Sequence, residues 1–273
     1  KHTMKRRQGS LGRESVDTAP TAADFPRRMW DKKDIGPDYR KYLNMWLRAG
    51  VDLGCVILVP AARYQPDIRE YMLSYFGDEI MVLERGEDGA VTKTVIKRKD
   101  IFCFCSTEDL LRGCISIYWG TRYEIHRTAL PYNRVRRELF LPVVNWLADC
   151  PADFYSPKAP GADAVPRRLK EEQPSLYHYG KDVYRFGNRG RRWEWWGLGA
   201  PGAFGKKRQM RSACLSCELE KGQVFILQTG SQVDIWYLKR GDAQTSVEEQ
   251  GREKKIVVTV KSEPVMTRSF RVR

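Results

Sequence analysis

The stretch YRFGNRGRRWEWWGLGAPGAFGKKRQMR, Tyr184 to Arg211, concentrates the groups best suited to meeting a polyanion. Within residues 181–211, nine basic side chains (Lys181, Arg185, Arg189, Arg191, Arg192, Lys206, Lys207, Arg208 and Arg211) face two acids, Asp182 and Glu194. Such cations gain affinity for phosphates by releasing condensed counterions, and aromatic faces set between them offer stacking worth ~1–3 kcal/mol per unpaired base. Trp193, Trp195, Trp196, Tyr184 and Phe186 supply those faces. The same indoles can instead anchor a strand or a long loop, with arginines laid on them by cation–π contact. An acidic protein or an anionic membrane surface would satisfy the charge as well.

Other chemistries find little support. Gly197, Gly199 and Gly202 spell a G-x-G-x-x-G, but tryptophans precede it and AFGKKRQ follows, where a dinucleotide site needs an aliphatic strand and a helix. The chain contains no G-x-x-x-x-G-K-[ST], H-E-x-x-H or G-x-S-x-G, and its histidines are His2, His126 and His178. His126 with Glu124 could form a base–carboxylate pair, against the plainer reading of a solvent-facing strand histidine. Seven cysteines at irregular spacing do not describe a secreted disulfide scaffold. Cys214 and Cys217, joined by Cys103 and Cys105, would make a four-thiolate zinc set only if strand alternation did not part Cys103 from Cys105, so buried thiols are expected and no metal or cofactor is assigned.

The elements that would position the basic stretch divide by charge. Residues 29–150 carry 18 basic and 17 acidic side chains, whereas residues 176–273 carry 19 and 10. The first block is expected to scaffold and the second to meet a polyanion. In 29–150, Pro37 opens a helix lined by Tyr39, Leu43, Trp46 and Leu47 and stopped by Gly50, ahead of a buried strand in VDLGCVILVP. A second helix is predicted to begin at Pro66 and Asp67, with Ile68, Tyr71, Met72 and Tyr75 on one face and Gly77 as its stop. A hairpin then centres on Asp88-Gly89, strands follow at IFCFC and CISIYWG, and NRVRRELFLPVVNWLAD is expected to form a helix that Pro142 kinks or splits. Arg134, Arg136 and Arg137 sit where a helix start disfavours cations, so they are expected either on a solvated face or held for an anionic partner.

Prolines 151, 157, 160, 166 and 174 mark 151–180 as a linker, followed by 181–211 as a basic, aromatic, Gly-rich loop and five strands in 212–273. The expected fold is α+β: an N-terminal mixed α/β block followed by a small antiparallel β barrel or sandwich. Residues 1–28 form a basic arm. Lys5, Arg6 and Arg7 precede the first acid, Glu14, amid Ser, Thr and Ala, the bias of an organellar presequence or simply of a disordered arm. No apolar run reaches the ~20 residues of a membrane helix.

These features lead to the expectation of a non-enzymatic RNA-binding subunit of a large ribonucleoprotein, a mitochondrial ribosomal protein meeting rRNA and neighbouring proteins in the matrix. Its contacts would come from Lys5, Arg6, Arg7, Arg185, Arg189, Arg191, Arg192, Trp193, Trp195, Trp196, Lys206, Lys207, Arg208 and Arg211. The alternatives are a lineage-specific accessory subunit of a mitochondrial protein or membrane complex, or an RNA-processing accessory factor.

Overall fold

Among the described residues, three antiparallel sheets and four short α-helices make up an α+β fold in which strands dominate. The computed structural model describes residues 21–150 apart from 63, 64, 66 and 122, then 165–185, 190–197, and 212–271 apart from 240, 242, 252 and 261. Helix α1 (Pro37–Arg48) begins at Pro37, which lacks only an N–H that no helix start uses, and gives way at Gly50, whose φ of 88° suits glycine. Its buried face of Tyr39, Leu43 and Trp46 lies on a five-stranded sheet, against Val56, Met72, Met81 and Leu83.

That sheet runs in chain order: β1 (Arg27–Arg28), β2 (Val56–Val59), β3 (Tyr71–Phe76), β4 (Glu79–Arg85) and β5 (Val91–Lys97). The hairpin expected at Asp88-Gly89 joins β4 to β5, with Gly89 at φ 80°. The second helix does not form. Its residues make β3, because YMLSYF is buried on both faces: Tyr71, Leu73 and Tyr75 point to the main core and Met72 to the α1 side. Burial on both faces erases the alternation that marks a strand, and the apolar spacing then mimics a helix.

The second sheet has seven strands, β6 (Ile101–Glu108), β7 (Arg112–Gly120), β8 (Ile125–Asn133), β9 (Gly190–Gly197), β10 (Ser212–Leu219), β11 (Gly222–Thr229) and β12 (Gln232–Lys239), in the order β8-β7-β6-β12-β11-β10-β9. Its middle pair joins distant parts of the chain, with Cys103 opposite Leu238 and Glu108 opposite Val233. The boundary expected between the first block and the C-terminal strands is therefore crossed by a continuous ladder. Nor do those strands close a barrel: β10–β12 extend the seven-stranded sheet, and β13 (Ala243–Gln250), β14 (Glu253–Val260) and β15 (Glu263–Arg271) form a separate three-stranded one. The small sheet sandwiches one face of the large sheet, placing Ile256, Val258, Val260 and Met266 over Phe225, Leu227, Trp236 and Leu238.

The opposite face shares one core with the five-stranded sheet and with α2 (Leu141–Leu147), α3 (Arg167–Glu172) and α4 (Pro174–Arg185). Pro142 stands in the first turn of α2, after a 3₁₀ segment Arg134–Leu139, so the split expected there occurs. Trp146 of α2 donates to Gly77 O at 3.0 Å and carries Arg98 over its ring at 4.4 Å, and Tyr71 Oη donates to Pro131 O at 2.9 Å. The predicted linker is partly helical, since Leu169, Leu176 and Val183 are fully buried and pull α3 and α4 onto the core; residues 151–164 lie outside the described set. Among the described residues no helix is long and apolar enough to cross a membrane.

A fragment ending at residue 150 would keep β6 but lose β12. Expressed alone, it is expected to lack cooperative unfolding and to self-associate through the open β6 edge, whereas the whole chain melts in one transition; circular dichroism with light scattering separates the two outcomes.

Candidate nucleic-acid interface at the sheet edge

Part of the basic stretch is regular structure. Residues 174–185 form α4 and 190–197 form β9, the outermost strand of the large sheet, paired with β10 through Trp193–Cys217, Trp195–Leu215 and Trp196–Cys214. The loop expected over 181–211 is corrected accordingly: GRRWEWWG is rich in aromatics that favour a pleated, half-buried surface, and β10 offers it an apolar partner. Alternation then sorts its side chains. Trp193 and Trp195 pack on the core beneath the helices, and Trp196 packs on the core under the small sheet.

Each indole has a neighbour made for it. Trp195 Nε1 donates to Glu172 Oε2 of α3 at 2.7 Å, and Lys254 Nζ sits 5.1 Å over the ring of Trp196. A Cβ at Gly180 would lie 3.4 Å from Trp193 and 3.3 Å from Leu215, which explains a glycine in mid-helix at a cost of about 1 kcal/mol: it lets α4 close on β9 and β10. The indoles are half-buried anchors, a different role from the open stacking platforms their sequence suggests.

Charge is left to the arginines. Arg191 and Arg192 are exposed, and Arg192 pairs with Glu194 at 2.5 Å. Arg185 ends α4, while Arg189, Lys206, Lys207, Arg208 and Arg211 belong to the segments entering and leaving β9 and, with Lys5, Arg6 and Arg7, lie outside the described residues. On α3, Arg168 pairs with Glu172, which also holds Trp195, so one carboxylate ties the helix, the indole and a surface guanidinium together. Its pKa is lowered by the Trp195 and Arg168 hydrogen bonds.

Beside β9 opens a polar cleft of about 440 Å³. Its floor follows the sheet register, a row of directly opposed residues running Arg192, Glu218, Gln223 and Leu238 across four strands, and its roof is Ala243–Thr245 of β13. Another charged concavity, lined by Lys97, Arg98, Lys99 and Lys239 among others, has its central cation committed: Arg98 bonds Asp149 Oδ1 at 2.9 Å and Gly77 O at 3.2 Å.

Two of the three arginines in the Arg134–Arg137 cluster are turned to a buried carboxylate of the same chain. Glu108, 2% exposed, receives Arg137 Nε at 2.5 Å and has Arg134 Nε at 3.3 Å, and Arg137 reaches on to Asp182 of α4 at 3.1 Å. Burial alone would lower the Arg137 pKa, but Glu108 and Asp182 reverse this and hold the guanidinium charged. Only Arg136 lies outside this network, paired with Glu138 at 2.7 Å. Sequence reasoning had the arginines but not their carboxylate, which lies 29 residues from Arg137 along the chain.

The thiols are arranged otherwise than their spacing suggests. Cys103 and Cys105, two apart on β6, share a face with Cys214, whereas Cys214 and Cys217, three apart on β10, take opposite faces. Strand alternation therefore separates Cys214 from Cys217 and not Cys103 from Cys105. Burial pushes Cys103 and Cys217 up to about 12 and Cys105 and Cys214 well above their ordinary value. Among the described residues no cluster of three or more His, Cys, Asp or Glu is placed to hold a metal. His126 lies 3.5 Å from Glu124 and against Trp119, its ring centroid 4.7 Å away.

Comparison with protein-family models, with curated proteins and with solved structures finds no match to this chain.

Arg137→Met strands a buried carboxylate and is expected to cost roughly 3–5 kcal/mol in denaturant unfolding, with Glu108→Leu in the same chain recovering a large part. At pH 8 the thiols of Cys103 and Cys217, with pKa values of about 12, should react with a disulfide reagent far more slowly in the native chain than in denaturant, and chelator should leave the melting temperature unchanged.

Proposed function

We propose that the chain is a non-enzymatic RNA-binding subunit of a ribonucleoprotein, the fitting assembly being an organellar ribosome. The observation that carries this reading is the segregation of charge. Residues 29–150 are nearly balanced, with 18 basic and 17 acidic side chains, while residues 181–211 hold nine basic and two acidic ones on and around a single edge strand. Arg191 and Arg192 stand exposed on that strand, and the segments joined to its two ends bring Arg189, Lys206, Lys207, Arg208 and Arg211.

In this reading the indoles make the edge rigid and the cations do the binding. A fixed array of guanidinium and ammonium groups positions a phosphate chain without reading its sequence, so selectivity would come from RNA shape. The arm with Lys5, Arg6 and Arg7 would add contacts of the same kind, and the α1 face of the molecule would be free to meet protein neighbours.

The test is a salt titration. The logarithm of affinity for a single-stranded RNA should fall steeply with the logarithm of salt concentration. Changing Arg191, Arg192, Lys206, Lys207 and Arg208 together to Ala should flatten that slope by about 0.7 for each phosphate that is no longer neutralised. An unchanged slope would remove the RNA surface from this edge. Displacement by an acidic protein or anionic vesicles where RNA fails to compete would favour the accessory-subunit alternative.

A further inference from the structure

The cleft beside β9 has no role in a mechanism built on phosphate contacts alone. Its floor carries Arg192, Ser216, Glu218 and Gln223, next to the apolar part of the same sheet face on which the small sheet packs, and β13 roofs it without filling the space above. Two features give it the character of a site. Gly222 lines it, and a Cβ there would lie 2.1 Å from the Leu238 carbonyl oxygen, so the floor keeps its shape only with glycine at that position. Gln223 is also held at both ends of its amide, with Nε2 donating to Ser216 Oγ at 3.2 Å and Oε1 accepting from Thr245 Oγ1 at 3.1 Å.

A primary amide has two N–H donors and two acceptor lone pairs. Ser216 uses one donor and Thr245 one lone pair, which leaves Gln223 one of each in an orientation locked by its neighbours. An adjacent donor and acceptor are what a glutamine offers the amino and ring-nitrogen edge of adenine. Of the charged side chains at the cleft, Arg192 stands against Glu194 and Glu218, while Lys239 alternates to the other face and donates to Arg98 O at 2.7 Å; the small negative excess suits a neutral base better than a free phosphate. Arg192 stands at one end of the row, 73% exposed, with donors beyond the one used on Glu194. The volume of about 440 Å³ falls within the roughly 300–1,000 Å³ of small-molecule sites.

From this we infer that the cleft takes one unpaired nucleotide, its base edge on the Gln223 amide and its phosphate on Arg192 at the mouth. The inference rests on the RNA-binding reading for the origin of that nucleotide, and makes the edge a place where one base is pulled aside from the strand. The locked amide would then supply base discrimination that phosphate contacts cannot.

The probes are adenosine 5′-monophosphate and ribose 5-phosphate, titrated into the whole chain by calorimetry, alongside an oligoadenylate and an abasic oligomer of equal length. Adenosine monophosphate should bind about tenfold or more tightly than ribose 5-phosphate, within what one bidentate base contact supplies. Gln223→Met should erase that difference while leaving the salt slope for the oligomers unchanged. Thr245→Val, which frees the amide to rotate, should reduce it in a chain whose circular dichroism matches the parent, so a misfolded Gln223 variant does not decide the question. Equal binding of the two small probes, or equal binding of adenylate and abasic oligomers with a steep salt slope, would overturn the cleft and leave the RNA reading standing. A flat salt slope with a retained preference for adenosine monophosphate would keep the cleft and overturn the RNA reading.

Discussion

A carboxylate out of contact with water needs compensation, and in this protein the compensation for Glu108 organises much else. Glu108 ends β6, where that strand lies between β7 and β12, and its two cationic neighbours come from the 3₁₀ segment after β8. Through Arg137 the same charge system reaches Asp182 and so fixes α4. With α4 fixed, Gly180 rests on Trp193 and Leu215, and the edge strand with its exposed arginines gains its support. A single buried anion thus links the centre of the large sheet to its far edge. Such a network adds little net stability over an apolar replacement, but removing one partner is expensive. That asymmetry makes it a device for holding geometry.

Under the proposed function the edge strand would serve two demands at once. An outermost strand presents unpaired backbone groups, and proteins guard such edges with charged side chains or irregular pairing. β9 has both: Arg191 and Arg192, and a register shift opposite Glu218 and Leu219. Some of the charge there would be explained by protection of the edge alone. The five-residue basic surplus carried by the adjoining segments goes beyond that need, because one or two cations suffice to discourage a pairing strand.

Local elements with a single buried face were legible in the sequence. α1 announces itself by Pro37, a helical apolar spacing and Gly50, and the β4–β5 turn by Asp88-Gly89. β3 was not legible, because a strand buried on both sides loses its alternation, and neither was β9, because tryptophans among arginines resemble a binding loop until β10 is placed beside them. What no local pattern could contain is the pairing of β6 with β12, and with it the partner of Arg137. At the proposed interface the cations were legible as a set. The cleft was not, since Arg192, Glu218, Gln223 and Leu238 become neighbours only through three successive strand registers.

The strand order also sets a timetable for synthesis. β6 acquires β7 almost at once, but its other edge waits for β12, roughly 130 residues later. At ~5–20 residues per second that is roughly 7–26 s during which one edge of IFCFCS, a strand with apolar side chains on both faces, has no pairing strand. A nascent chain in that condition is a substrate for holding chaperones. Its yield in a cell would be governed by the speed of the ribosome over 109–239 and by chaperone supply, before the stability of the finished fold has any bearing.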